Sequence, residues 1–327
     1  MKTLFLSQSE VKKLISAAEA NEAVENAFEA FGKGLAQMPP KSYLFYRPYK
    51  GDLRTMPAYI ESLNATGVKI VNVHVNNAEK NLPTVMATIV LNDPETGYPI
   101  AIMDGTFLTA LRTGSAGAIA IKYLARDDSN IIGFIGCGAQ AYTQIDTSIL
   151  IKKFKAFKAY DINEKRRNDF ANYVKNKYGL ELIGKNDIQD VCNADVVTTT
   201  TPVNTPIVKN EWIKEGTHIN AIGADAPGKE ELEPAILLRS KIVVDNWEQA
   251  SHSGEINVPL EKGIITKDNI YAELGQIVAK IKQGRTSNKE ITIFDSTGLA
   301  VQDIAVAKRV YDKAVKNNIG IQLELLK

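Results

Sequence analysis

The sequence predicts an α/β fold in which a doubly wound parallel-sheet domain is inserted into a second, α+β domain. Three observations carry this prediction. From Ile131 onward, short apolar strands alternate with helical segments, the pattern of a parallel sheet covered on both faces. Before that point, strand-like runs follow one another with no helix between them, which implies a largely antiparallel or mixed sheet. A final helical segment, Ala300 to Val315, is followed only by a short tail and is free to cross back to the first domain.

The first domain opens on a helical pattern from Ala20 to Leu35, with Ala23, Ala27, Ala30, Phe31 and Leu35 on one apolar face. Strand-like runs follow at Ser42–Tyr46, Leu53–Tyr59, Gly67–Val75, Val85–Leu91 and Ile100–Met103. Breakers such as Asn76-Asn77 and Asp93-Pro94 stand near their ends. Thr109 to Leu124 reads as a helix of small residues. The second rhythm comprises strands at Ile131–Ile135, Phe157–Asp161, Leu180–Ile183, Val196–Thr200, His218–Ile222 and Lys241–Asp245, with Ile291–Phe294 after them. The expected division is residues 1–115 for the first part of the substrate domain, 116–303 for the inserted domain and 304–327 for the returning helix.

Bulk composition narrows the function classes. Among 327 residues, 39 are Lys or Arg and 38 are Asp or Glu, a formal charge of +1, so neither nucleic acid nor an anionic membrane is expected as a partner. Lys152-Lys153 and Lys165-Arg166-Arg167 read as solvated helix faces. Two cysteines, Cys137 and Cys192, make no disulfide framework and suit a reducing compartment. The opening apolar run is too short for a signal peptide, and no stretch approaches the roughly 18 apolar residues of a membrane span. The expected location is the cytoplasm.

The strongest chemical signal is Gly136-Cys-Gly138-Ala-Gln-Ala141, directly after the strand Ile131–Ile135 and before a helix. In a G-x-G-x-x-A turn of this kind, Gly136 permits the tight bend and Gly138 lets the backbone approach a pyrophosphate. Ala141 keeps the helix close to the sheet, and the phosphates sit on unpaired amides at the helix start. About 20 residues on, the next strand ends at Asp161, an acid placed to take ribose hydroxyls and repel a 2'-phosphate. NAD is therefore the expected cofactor. Thr198 to Thr201 end a later strand at the same sheet edge, where hydroxyls face the ligand crevice, although β propensity alone also suits threonine there.

Gly223-Ala-Asp-Ala-Pro-Gly228-Lys229 fits seven positions of a nucleoside-triphosphate loop, but Glu230 stands where Ser or Thr must hold magnesium. That reading is rejected. What the segment offers is Asp225 just beyond an apolar strand, a carboxylate able to serve as base. Lys229 is expected to hold cofactor phosphate or to pair with Glu.

An amino-acid substrate needs a cation for its carboxylate, and Lys41, Arg54, Lys69 and Arg112 are the candidates. Lys69 interrupts an otherwise apolar strand, where a buried amine needs a partner or a job. His74, His218 and His252 show no metal spacing and no metal is expected. No Gly-x-Ser-x-Gly elbow or Cys/His pair supports covalent hydrolysis.

Pro39-Pro-Lys41, Gly51-Asp-Leu-Arg54-Thr-Met-Pro57, Gly67-Val-Lys69, Leu82-Pro-Thr-Val-Met86, Leu111-Arg112-Thr-Gly114 and the glycine turn together resemble the ornithine cyclodeaminase/mu-crystallin family. So do Ile222-Gly-Ala-Asp225-Ala-Pro-Gly-Lys229 and Phe294-Asp-Ser-Thr-Gly-Leu-Ala300. The match runs nearly end to end, and within the family it looks most like the archaeal type that acts on L-alanine. The resemblance implies a homodimer with a Rossmann domain inserted into the substrate domain. It implies Lys69 and Asp225 as acid–base groups, with Lys41, Arg54 and Arg112 on the substrate. On the cofactor it implies Arg112, Thr113, Gly136, Gly138, Ala139, Gln140, Asp161, Thr199, Thr200, Thr201, Ala221, Gly223, Lys229 and Ser296. Ornithine-deaminating members carry Glu where this chain has Arg54, and an Arg there repels a distal ammonium. The expectation is NAD-dependent oxidative deamination of L-alanine, reversible as amination of pyruvate. A cyclodeaminase, a ketimine reductase and a nucleotide-binding protein without turnover are the alternatives.

Overall fold

The chain leaves its first structural unit after Arg112 and re-enters it at Leu299, so one unit is assembled from both ends of the sequence and the other from the middle. The architecture is that of a computed structural model, which describes residues 2–326 apart from the side chain of Ala78. The expected division at 303/304 fell five residues later than this return. The return coincides with the start of the helix Ala300–Asn317, whose first residues the expected division left with the inserted domain.

In the two-segment unit, eight strands form one sheet, in the order Ile321–Leu323, Thr3–Leu6, Pro99–Asp104, Val85–Asn92, Ala65–His74, Gly51–Ile60 and Ala36–Gln37. Ser42–Tyr46 also pairs with Gly51–Ile60. All neighbours are antiparallel except Thr3–Leu6 with Pro99–Asp104, which run parallel. Register sets the inner face: Met56 lies opposite Lys69, Lys69 opposite Ile89, and Ile89 opposite Met103, and all four are buried. With a side-chain period of two, Arg54 and Val71 fall on that same face. Helices Ala17–Gly32 and Ala300–Asn317 pack against each other, and the second also packs on the three central strands. Ser16 and Glu19 close the start of the first by mutual backbone capping. The second ends where Asn318 turns left-handed at φ 53°.

The middle unit is a parallel eight-stranded sheet in the order Leu182–Gly184, Ala156–Tyr160, Ile131–Ile135, Val196–Thr199, His218–Ala221, Ile291–Asp295, Ser240–Val244 and Ile270–Glu273. The order reverses direction between Ile131–Ile135 and Val196–Thr199, the point where a doubly wound sheet opens its ligand crevice. This is the fold class read from the sequence. The strands Thr3–Leu6, Ile270–Glu273 and Ile321–Leu323 were not anticipated, because each is only three or four residues long. No helix among the described residues is long and apolar enough to cross a membrane.

Candidate functional site

The glycine turn of the middle unit has the geometry its spacing requires. Gly136 has φ +93°, and a Cβ there would lie 2.9 Å from both Thr200 Oγ1 and Thr201 Cγ2. Gly138 is the N-cap of helix Ala139–Ile151, with no side chain capping the first turn, and a Cβ built on it would meet nothing within 4 Å. Open space above uncapped amides at a helix start is what a pyrophosphate needs, so the residues fit a dinucleotide. Ala139 and Gln140 are the first two residues of that helix. Asp161 stands just past the neighbouring strand, and its carboxylate accepts the Cys137 amide at 2.8 Å and the Asn163 amide at 2.8 Å. The same acid expected to meet a ribose thus also fixes the turn. Cys137 itself is buried, and burial pushes its thiol up to about 12, so it is an inert packing group.

Across the switch point, Thr199, Thr200 and Thr201 are held from behind. Thr200 Oγ1 donates to the Gly136 carbonyl at 3.0 Å. Glu231 accepts from Thr199 Oγ1 (2.6 Å), Thr201 N (2.7 Å), Thr201 Oγ1 (2.6 Å) and Gly223 N (2.9 Å). One buried carboxylate therefore ties together the ends of Val196–Thr199 and His218–Ala221. Behind it, Glu255 accepts the amides of Glu231 and Leu232. Burial first, then the charge of Glu231, raise the Glu255 carboxyl well above its usual range. Burial raises Glu231 too, opposed by its threonine hydrogen bonds. Ala221 ends its strand, level with Thr199 and Asp295, and Gly223 approaches so closely that a Cβ would lie 2.2 Å from the Thr201 carbonyl. Ser296 is buried with an unpartnered hydroxyl at this same edge.

Asp225 and Lys229 pair with each other in the loop after His218–Ala221. Lys229 was expected on a phosphate or a Glu; its carboxylate is instead Asp225, four residues back, because the turn at Gly228 folds the loop on itself. Thr113 begins the middle unit, its carbonyl accepting Gln144 Nε2 at 3.1 Å.

The two-segment unit concentrates buried charge around Lys69. Its Nζ is fully buried and lies 2.7 Å from Asp303 Oδ2, an ion pair without hydrogen-bond alignment, so neither atom has a well-directed partner. The other Asp303 oxygen accepts Arg112 Nε at 2.9 Å, and Gln302 Oε1 accepts Arg112 Nη1 at 3.0 Å. Burial first, then the adjacent Arg112 guanidinium, push the Lys69 ammonium down to about 7, against the opposing pull of Asp303; Lys41 adds a smaller push. Arg112, expected on both substrate and cofactor, turns its Nε and Nη1 toward protein partners. Arg54 is likewise engaged: Nε and Nη2 fork onto the Asp52 carboxylate at 2.9 and 3.0 Å, and the guanidinium lies over the Tyr43 ring at 5.4 Å. Lys41 is half-buried just before Ser42–Tyr46.

Asp52, Glu231, Glu255, Gln302 and Asp303 were missed by sequence reasoning. The available signal for the last two was a pair of polar residues inside the apolar run Ala300–Val306, which an amphipathic surface helix does not place on its buried face. Among the described residues no group of His, Cys, Asp and Glu is arranged to hold a metal.

Residues 1–318 match the family described as the ornithine cyclodeaminase/mu-crystallin family. Across all 327 residues, and the whole of the other chain, the sequence is 51% identical to a protein of Archaeoglobus fulgidus described as an alanine dehydrogenase. A solved archaeal alanine dehydrogenase dimer with bound NAD superposes with TM-score 0.96 at 51% identity, each chain covered completely. A Thermococcus litoralis Δ(1)-pyrroline-2-carboxylate reductase in complex with NADH and L-proline superposes with TM-score 0.94 at 41% identity, covering 98% of this chain and 100% of the other.

Proposed function

The chain belongs to the ornithine cyclodeaminase/mu-crystallin family, and on that premise we propose that it catalyses the NAD-dependent oxidative deamination of L-alanine and its reversal. The balance is L-alanine, NAD and water giving pyruvate, ammonium, NADH and a proton. The observation that carries this reading is the fully buried Lys69, paired with Asp303 yet pushed down to about 7 by burial and by the Arg112 guanidinium. An amine that titrates near pH 7 is matched to general acid–base work, and cations beside it suit a substrate carboxylate. The 51% identical alanine dehydrogenase supports the choice of substrate.

NAD, when bound, takes up the hydride from the substrate α carbon. Gly136, Gly138, Ala139 and Gln140 would receive its phosphates, Asp161 its ribose, and Thr199–Thr201, Ala221, Gly223 and Ser296 its remaining length. Arg112, Lys41 and Arg54 hold the substrate carboxylate and fix which way the α hydrogen points. Neutral Lys69 accepts the proton released as water adds to the oxidised α carbon, and returns it during amination. Asp225 is the second proton acceptor, acting on the substrate nitrogen.

A homodimer is part of the proposal. Leu44, Phe45 and Tyr49 are 60%, 65% and 72% exposed on one edge of the first unit, with Val75 and Leu82 also exposed, an apolar surface that a second copy of this chain would cover. The solved relative described as a dimer supports it. Phe45→Glu should yield a monomer in sedimentation velocity.

The reductase relative favours one second reading, reduction of a cyclic imine such as Δ(1)-pyrroline-2-carboxylate. Nicotinamide absorbance separates the two. Net NADH from L-alanine, and its consumption with pyruvate plus ammonium, is the expected result. Consumption with the cyclic imine alone would replace the alanine reading, and proline from ornithine without net NADH would mean a cyclodeaminase.

A further inference from the structure

Lys69 and Arg112 are brought together by a residue from the far end of the chain. Asp303 is fully buried, and its two oxygens are divided between them: Oδ2 stands 2.7 Å from Lys69 Nζ and Oδ1 accepts Arg112 Nε at 2.9 Å. Gln302, its neighbour, takes Arg112 Nη1. The three charged side chains come from strand Ala65–His74, helix Thr106–Leu124 and helix Ala300–Asn317. A carboxylate at zero exposure with cations on both sides is costly to bury unless each charge is matched.

We infer that Asp303 is the positioning residue of the acid–base site, holding the Lys69 amine and the Arg112 guanidinium in one fixed relation and compensating the charge that Lys69 gains and loses. This inference rests on the proposed role of Lys69. Two cations facing one resident anion leave a single positive charge over, which suits one incoming carboxylate. When Lys69 gives up its proton, Asp303 and Arg112 remain as an ion pair, so the cluster passes from one positive charge to none and the buried carboxylate keeps a cation in either state. The groups facing Lys69 are Asp303 from the last helix, Arg112 from helix Thr106–Leu124 and Lys41 ahead of strand Ser42–Tyr46; of these only Asp303 favours the protonated amine.

The test is Asp303→Asn, which keeps the shape and can still accept from Arg112. Loss of the anion leaves Lys69 among cations, so its titration moves to lower pH. The kcat profile for alanine oxidation should shift its ascending limb down by a full pH unit or more, with plateau kcat reduced at least tenfold. NADH affinity, read by fluorescence, should stay within twofold. Titration of [ε-13C]lysine-labelled protein by NMR, with Lys69 identified by Lys69→Met, reads the same shift with no substrate present. An unmoved Lys69 resonance would overturn the inference whatever the activity. A shifted resonance with no alanine turnover in the parent enzyme would instead overturn the substrate reading. Should Asp303→Asn not fold, Asp303→Glu retains the charge on a longer arm. It should then preserve the limb while lowering kcat, and unchanged kcat there would count against a positioning role.

Discussion

Glu231 accepts both the amide and the hydroxyl of Thr201 through a single oxygen, at 2.7 and 2.6 Å, and spends its other oxygen on Thr199 and Gly223. The strand ends that line the crevice are thereby set by a residue that does not itself face it. Glu231→Ala strands four donors, each costing roughly 1–3 kcal/mol when left buried and unpaired. The expected outcome is a markedly lower denaturation midpoint and NADH binding weakened at least tenfold in a fluorescence titration. A folded variant that binds NADH as tightly as the parent would show that the crevice shape does not depend on this carboxylate.

Asp161 serves both the glycine turn and, in the proposed complex, the cofactor ribose. Asp161→Ser removes the charge that repels a 2'-phosphate while retaining an acceptor for the Cys137 amide. The ratio of kcat/KM for NADP over NAD should rise by about one to two orders of magnitude, chiefly through KM. A ratio that does not change would place cofactor discrimination elsewhere.

In the proposed mechanism, Lys69 gives the two directions of the reaction opposite pH behaviour. Its folded value of about 7 lies below the ordinary 10.5, so the neutral amine is available from about pH 7 upward. Oxidation, which needs the base, should rise through about pH 7, while amination, which needs the acid, should fall through it in kcat/KM profiles. The shift also carries a stability sign. Between about pH 7 and 10.5 the unfolded chain binds the extra proton, so this group's contribution to folding becomes more favourable as pH rises through that window. Identical limbs in Lys69→Met and the parent would remove Lys69 from the proton chemistry.

His218 should make the middle unit acid-sensitive without taking part in the reaction. Its ring nitrogens lie against Thr292 Oγ1 at 2.9 Å and Asn220 Oδ1 at 3.0 Å, and burial, then the Arg285 charge, push it down to about 3. Below about pH 6.5 the unfolded chain takes up a proton that the folded chain refuses, so stability falls as pH drops through that window. At pH 5 the loss from this residue is about 2 kcal/mol. Urea unfolding at pH 7 and pH 5 should show it in the parent but not in His218→Asn. Equal losses in both would assign the acid sensitivity to other groups.

The middle unit was legible because its signals are local. A glycine turn, the strand before it and an acid about 20 residues later lie in one βαβ stretch, and their spacing alone implies the geometry found at Gly136, Gly138 and Asp161. Lys69 was legible for a similar reason, as one charge within an apolar strand. Its partner was not: Asp303 meets Arg112 across 191 residues of sequence, and no periodicity links positions so far apart. Glu231 was passed over because the loop ending at Lys229 resembles a phosphate-binding motif, which draws the eye to its lysine and not to the acid two residues on. Arg54 is expected from the sequence to repel a distal ammonium. That it would fork onto Asp52 follows only from the strand pleat, which puts residues two apart on the same face.

The last helix also imposes an order on biosynthesis. The middle unit is complete at Gly298, while the first unit waits for Leu299 onward. During translation the nucleotide-binding unit can fold on the ribosome, whereas the sheet bearing Lys69 must wait with its inner face uncovered and its amine without a counter-charge. A ribosome stalled shortly after residue 298 would therefore present a complete parallel-sheet unit while the Lys69 amine stays open to water. Emergence of the helix Ala300–Asn317 covers that face and brings the Asp303 carboxylate to the Lys69 amine.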